Sequence, residues 1–259
     1  MKKISILLVA LAIGFACKKK DNNEPAQSNP GSGNTTCANP NLLLSLECNN
    51  NLSDASCVPF TVTNNGATFD LDRNNNANKA LKFNGTSYLN YPNASGLQPA
   101  LPFSISFWVS VDDSSNWASN YFMQSNARPN GGYCGYIIRT DAVGRINLTV
   151  GDTTNSTTIG ALSSVILNSN KWTHYMAVVK GNNNVDVYIN GQKDTLCTLS
   201  GSGNSISYPA PSTTSNLGLI GGVSFLSNNG RLKGKMDKIK IWNKALNSTE
   251  ASAEYTNSN

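Results

Sequence analysis

One segment, Phe103-Ser-Ile-Ser-Phe-Trp-Val-Ser-Val111, constrains the fold more than any other. Phe103, Ile105, Phe107, Val109 and Val111 fall on one side of an extended chain; Ser104, Ser106, Trp108 and Ser110 fall on the other. A period of two belongs to a half-buried β-strand, whereas a helix would scatter these residues around its circumference. Val185–Ile189 repeats the pattern and runs into Asn190-Gly191, whose tolerance of positive φ suits a two-residue hairpin. Further strands are expected at Leu42–Leu46, Phe60–Thr63, Ala67–Leu71, Ala80–Phe83, Tyr88–Tyr91, Tyr133–Thr140, Arg145–Val150, Trp172–Lys180, Leu217–Ile220 and Lys235–Trp242. Asparagine runs such as Asn74–Asn76 and Asn182–Asn184 punctuate them as turns. The helical candidate is the tail from Asn247 to Tyr255, with Asn247 or Ser248 as its cap. Strands without crossover helices predict an all-β, antiparallel sandwich or barrel, in one domain over residues 41–259.

The first residues read as an address. Lys2 and Lys3 precede an apolar run from Ile4 to Ala16, which as a helix covers roughly 20 Å, short of a membrane core of about 30 Å. That makes residues 1–16 a signal peptide rather than a span. The run ends Gly14-Phe15-Ala16-Cys17, which resembles a bacterial lipobox with Cys17 as the lipidated residue. Lys18-Lys19-Lys20-Asp21 then resembles the charged cluster of Bacteroidetes lipoproteins, which implies a lipid-anchored protein at the outer-membrane cell surface. Between Cys17 and residue 40 the chain is Asn, Pro, Gly, Ser and Thr with few apolar groups, a composition that predicts a flexible tether.

Charge and cysteine content narrow the function. The formal charge of +5 falls to +3 once Lys2 and Lys3 leave with the signal, too little for a nucleic-acid protein. Five cysteines remain after Cys17, an odd number in a compartment that permits disulfides. Cys48 and Cys57 flank an eight-residue polar loop and form the expected local pair. No CxxC occurs and His174 is alone, which argues against zinc.

The order of the strand segments resembles the laminin-G-like jelly rolls. Leu42-Leu-Leu-Ser-Leu-Glu-Cys-Asn-Asn-Asn-Leu-Ser-Asp54 is similar to their opening strand and loop. Ala80-Leu-Lys-Phe-Asn-Gly85 is similar to their next hairpin, and Phe103–Val109 to a Phe-x-Ile-x-x-Trp strand. Trp172–Val179 with Val187-Tyr-Ile-Asn-Gly191, and Leu232–Leu246, complete the set. The resemblance implies a concanavalin A-like sandwich of two antiparallel sheets with a short C-terminal helix. It implies a module that binds carbohydrate or protein, often with structural calcium; a minority of the wider superfamily cleave glycans.

Candidate sites follow. Calcium needs several oxygen ligands, and Asn51, Asp54 and, by the resemblance, Asp237 on the last strand supply them. Asp237 shares strand parity with Ile239 and Ile241, which points it toward the apolar side. For glycan binding, Trp117, Tyr121, Arg128 and Tyr133 gather aromatic faces and hydroxyl-reading groups among polar residues. Catalysis lacks support: the Glu-x-Asp-x-(x)-Glu strand of sandwich hydrolases does not occur, and Asp70, Asp72 and the Asp112-Asp113 pair read as turn acids. Arg231, Lys233, Lys235, Lys238, Lys240 and Lys244 either favour an acidic polysaccharide or line a solvent face and protect an edge. The expected function is a non-enzymatic, lipid-anchored surface module that captures polysaccharide; a protein-binding adhesin and a diverged glycan hydrolase or lyase are the alternatives.

Overall fold

The computed structural model describes residues 37–112, 120–125, 134–152, 158–223 and 231–258. Two antiparallel sheets pack face to face. The first runs β13 (Gln192–Lys193), β12 (Asn184–Ile189), β11 (Thr173–Gly181), β6 (Phe103–Val111), β16 (Lys233–Trp242), β4 (Ala80–Asn84) and β3 (Thr68–Asp70), with β1 (Leu42–Leu46) also on β16. The second runs β14 (Thr198–Ser200), β10 (Ile159–Ile166), β9 (Arg145–Gly151), β8 (Gly135–Thr140), β7 (Tyr121–Gln124), β15 (Gly218–Ile220), β5 (Tyr88–Tyr91) and β2 (Thr63–Asn65). The expected two-sheet sandwich is present.

Alternation along each strand builds the core. Phe103, Ile105, Phe107, Val109 and Val111 are buried and meet residues of the second sheet: Phe107 lies 5.5 Å from Phe122 between ring centroids, and Phe103 lies 5.8 Å from Tyr136. Inside the second sheet the Tyr91 hydroxyl donates to the Gln124 carbonyl at 2.9 Å and contacts the Tyr136 hydroxyl at 3.1 Å, so neither phenol is stranded. The asparagine-rich turns have a backbone cause. Asn75, Asn182, Asn183 and Asn190 take φ of 63°, 51°, 52° and 50°, which asparagine tolerates better than most other side chains. Asn190-Gly191 forms the two-residue hairpin between β12 and β13.

A bulge reorganises the last strand. Lys238 sits at φ 51°, and the pairing of β16 with β6 slips between Asp237 and Lys240. Before the bulge β16 pairs with β4 along one edge; beyond it the same edge pairs with β1. The extra residue flips parity. Met236, Ile239 and Ile241 point into the core, whereas Asp237 stands opposite outward-facing Trp108. The expected shared parity of Asp237 with Ile239 and Ile241 is therefore corrected.

The outer face of the first sheet is roofed. The C-terminal helix α1 (Ser248–Ser258) begins with reciprocal capping: Asn247 Oδ1 accepts from the Glu250 amide at 3.0 Å, and Glu250 Oε2 accepts from the Asn247 amide at 2.9 Å. Its Ala251 packs with Met176, Val178, Tyr188, Trp242 and Leu246. Tyr255 stacks on Trp108 at 5.5 Å, and His174 touches both rings. Even the outward serines, Ser104 and Ser106, are buried under this roof.

The disulfide differs from expectation. Cys57 pairs with Cys37, not with Cys48. Cys48 lies two residues past β1 with its side chain in the core, 1% exposed, where its thiol contacts the Leu46 carbonyl; Cys57 lies on an exposed loop. A buried sulfur and a surface sulfur cannot bond without unpacking one of them.

His174 supplies a pH test. Burial holds its imidazole down to about 3 against an ordinary 6.5, helped by Lys240 and Arg73. The unfolded chain then binds more protons than the folded one between those values, so stability falls as pH drops through that window. Urea midpoints at pH 7 and pH 4 should differ less in His174→Phe than in the wild type. Phe107→Ala should lose about 3–5 kcal/mol at pH 7, read from the same curves.

Candidate functional site

The second sheet has the opposite outer face. Along β9, Ile146, Leu148 and Val150 are buried, while Arg145, Asn147 and Thr149 are half-exposed on the other side. Register extends this face sideways: Asn147 stands opposite Arg139 of β8 and Leu162 of β10, and Asn90 of β5 stands opposite Leu219 of β15. Tyr88, Asn90, Arg139, Asn147, Thr149 and Leu162 are all half-exposed here, in contrast to the buried serines under α1. Amides, hydroxyls, guanidinium groups and tyrosine rings on one sheet face form a surface that can hydrogen-bond and stack.

Tyr121 lies on this face. It is 7% exposed, packs with Ile137 and Val223, and carries Arg139 5.7 Å from its ring centroid. Trp117, Arg128 and Tyr133 lie outside the described residues, as do Cys17, the signal and most of the tether. Their flanks are informative. Asp112 and Asn120 bound one stretch, Ser125 and Cys134 the other, and Asn120 and Ser125 flank β7 at opposite ends.

A second tyrosine–arginine pair was not anticipated. The Arg231 guanidinium carbon sits 3.7 Å above the centre of the Tyr88 ring. Alternation at Tyr88-Leu-Asn-Tyr91 marks Tyr88 as outward, but nothing in the sequence joins it to a residue 143 positions later.

The calcium residues are occupied otherwise. Asp54 Oδ1 accepts from the Ser45 and Ser56 amides, both at 2.9 Å; its Oδ2 accepts from the Ser56 hydroxyl and the Phe60 amide, also at 2.9 Å. Asp237 is bound to the Arg73 guanidinium at 2.6 Å and accepts from the Lys238 amide. Burial pushes Asp237 up to about 6 against the pull of Arg73 and that amide. Asn51 is exposed and caps its own loop through the Ser53 amide and the Asn49 carbonyl. A cation here would have to displace an arginine and four protein donors, so Asp54, Asn51 and Asp237 do not fit a calcium site. Among the described residues no three acids, histidines or cysteines converge as metal ligands.

Asp113 lies outside the described residues, whereas Asp70, Asp72 and Asp112 are tied into turns and ion pairs. Asp70 binds Lys235 at 3.0 Å, and the Leu71 amide holds its carboxyl below the ordinary range. Burial would raise Asp72, but hydrogen bonds from Asn76 and Asn74 outweigh it. Asp112 pairs with Lys82. A general acid needs a raised pKa beside a second carboxylate; Asp70 and Asp72 are instead held below the ordinary carboxylate range.

Two antiparallel sheets, one roofed by a helix and one with an accessible outer face, define a concanavalin A-like sandwich. Residues 83–252 match the laminin-G family model described as the concanavalin A-like lectin/glucanases superfamily. The chain belongs to that superfamily. Among solved structures it is similar to domain 4 of AbnA, a GH43 extracellular arabinanase from Geobacillus stearothermophilus, in complex with arabinotriose. Identity there is 22%, the TM-score is 0.56, and 83% of this chain covers 98% of that one. It is also similar to the binding domain of Paraclostridial Mosquitocidal Protein 1, at 17% identity and TM-score 0.64, and to the botulinum neurotoxin serotype D binding domain, at 14% and 0.60. In both cases 84% of this chain covers 52% of the other, so it spans about half of those toxin domains. These likenesses concern the fold. A search of curated proteins returns no match.

Asp54 yields the prediction. Asp54→Ala strips an acceptor from four donors, three of them buried or half-buried amides, and should cost about 2–4 kcal/mol. Melting of the wild type should be the same in EGTA as in millimolar calcium; a rise of several degrees with calcium would refute the assignment of these carboxylates to protein donors.

Proposed function

We propose that the protein is a non-catalytic glycan-binding module, held at the outer-membrane surface by lipid on Cys17 and carried on the tether from residue 17 to residue 40. The observation that carries this reading is the accessible outer face of the second sheet, with Asn90, Asn147 and Thr149 placed to read hydroxyls. Trp117, Arg128 and Tyr133 are kept as candidate sugar contacts on their residue types. Commitment of Asp70, Asp72 and Asp112 to ion pairs and turns supports binding rather than cleavage. The arabinotriose held by the arabinanase domain offers a precedent for sugar binding on this kind of sandwich.

Protein adhesion is the second reading, favoured by the toxin binding domains among the similar structures. The two separate on competition. Full-length protein in detergent, screened on a glycan array and then titrated with its best polysaccharide, should be displaced by soluble sugar. Asn147→Ala and Trp117→Ala should each weaken that binding about five- to tenfold, the worth of one net hydrogen bond or one stacking contact. An array without signal, beside saturable capture of a surface protein, would replace the glycan reading with adhesion. The anchor has its own test: Cys17→Ser should abolish labelling by a radioactive fatty acid and release the protein from membranes.

A further inference from the structure

The accessible face carries two arginines set on tyrosines. Arg231 lies over Tyr88, and Arg139 lies over Tyr121. Register brings the pairs together. Ile220 of β15 stands between Met123 and Leu89, and the Gly221 amide donates to the Phe122 carbonyl at 2.8 Å. One step further along, Gly221 and Gly222 run between the Tyr88 and Tyr121 ends of their strands. Arg231 crosses this bridge: a Cβ on Gly222 would meet its Cδ at 2.9 Å and its Nη1 at 3.0 Å. Glycine is what lets the guanidinium lie across to Tyr88.

The rest of the molecule shows how this chain treats a structural cation. Arg73 also stacks on an aromatic, 4.6 Å from the Trp108 ring centre, and there Asp237 completes it. Arg145, next to Arg139 on the sheet, has Asp141 at 2.7 Å. In the C-terminal basic cluster Lys235 pairs with Asp70, Lys238 with Glu47, Lys240 with Glu254 and Lys244 with Glu250. Among the described residues, no acid forms an ion pair with Arg231 or Arg139. Moreover, Arg231 Nε and Nη1 are shut off from solvent without an acceptor. A buried unsatisfied donor is costly, the more so on a charged group. Arginine presents a planar fork that matches carboxylate and sulfate oxygens, and a ring beneath it fixes the plane of that fork.

We propose that Arg231 and Arg139 read the anionic groups of an acidic polysaccharide, with Tyr88 and Tyr121 as pedestals rather than as sugar-stacking platforms. The proposal rests on the glycan-binding reading and names its ligand class: sugars bearing carboxylate or sulfate. Lys235, Lys238, Lys240 and Lys244 of the C-terminal cluster play no part, since each is neutralised within the fold.

The test uses full-length protein in detergent and four polymers: polygalacturonate, its carboxyl-reduced neutral counterpart, dextran sulfate and polyglutamate. Binding to polygalacturonate or dextran sulfate should exceed binding to the neutral polymer at least tenfold. Whichever binds tighter tells carboxylate from sulfate. That preference should shrink between 50 and 300 mM salt as screening grows. Arg231→Gln and Arg139→Gln should each lose about tenfold on the acidic polymer and leave the neutral one unchanged. Tyr88→Phe, which keeps the pedestal, should bind like the wild type, and Tyr88→Leu should not; melting curves check that each variant folds. Equal binding of acidic and neutral polymers, indifferent to both arginines, would overturn this inference and leave glycan binding standing. Equal affinity for polyglutamate, with the same arginine dependence, would reassign the site to an acidic protein. No binding to either acidic polymer would overturn the inference, and silence on the wider glycan array as well would overturn the reading beneath it.

Discussion

The bulge at Lys238 and the Arg73–Asp237 pair beside it hold the first sheet together. Strand β16 contacts β6 along one edge and must serve two partners, β4 and β1, along the other. An unbroken strand would keep one parity throughout and drive Asp237 into the core. One extra residue turns it outward, to a guanidinium that itself lies on Trp108. Removing either partner would leave a buried charge, at about 3–5 kcal/mol, a large share of the roughly 5–15 kcal/mol that stabilises a domain. Trp108 in turn receives Tyr255 from α1, so the bulge, the ion pair and the helical roof form one connected unit.

That unit explains why the two outer faces differ. With α1 docked, the polar residues of β6 are sealed, and the sheet behaves as a three-layer interior. No helix among the described residues covers the second sheet, and its strands β5 and β9 alternate core and half-exposed positions. Polar side chains there stay hydrated and can be exchanged for ligand contacts at small cost, whereas any ligand on the first sheet would first have to expel the helix. The division of labour is thus settled by which sheet the C-terminal tail can reach.

Much of this was legible in the sequence because alternation is a local property. The register of Phe103–Val111, the Asn190-Gly191 hairpin and the Asn247 cap each rest on residues a few positions apart. Strands β7 and β10 were harder: Tyr121-Phe-Met-Gln124 is buried on both sides, and Ile159–Ile166 is broken by serines and glycine, so neither shows period two clearly. The site was less legible for the same reason. Parity at Asp237 depended on a bulge that a lysine gives no warning of, since lysine seldom takes positive φ. Pairing of Cys57 with Cys37 rather than Cys48 depended on burial, and Arg231 meets Tyr88 only through the full course of the sheet.

The Cys37–Cys57 bond has a mechanical consequence. It joins positions 20 residues apart, and β1 lies wholly within the covalent ring so formed. A pull arriving from upstream of Cys37 reaches the domain through two routes at once, the backbone into β1 and the sulfur bridge to the loop beyond it. Stripping β1 from β16 would yield no slack, because the ring fixes the distance between its ends. Under flow or tension the first edge to meet the load is therefore one that cannot be unzipped by peeling, and the sheet must fail elsewhere before the chain lengthens.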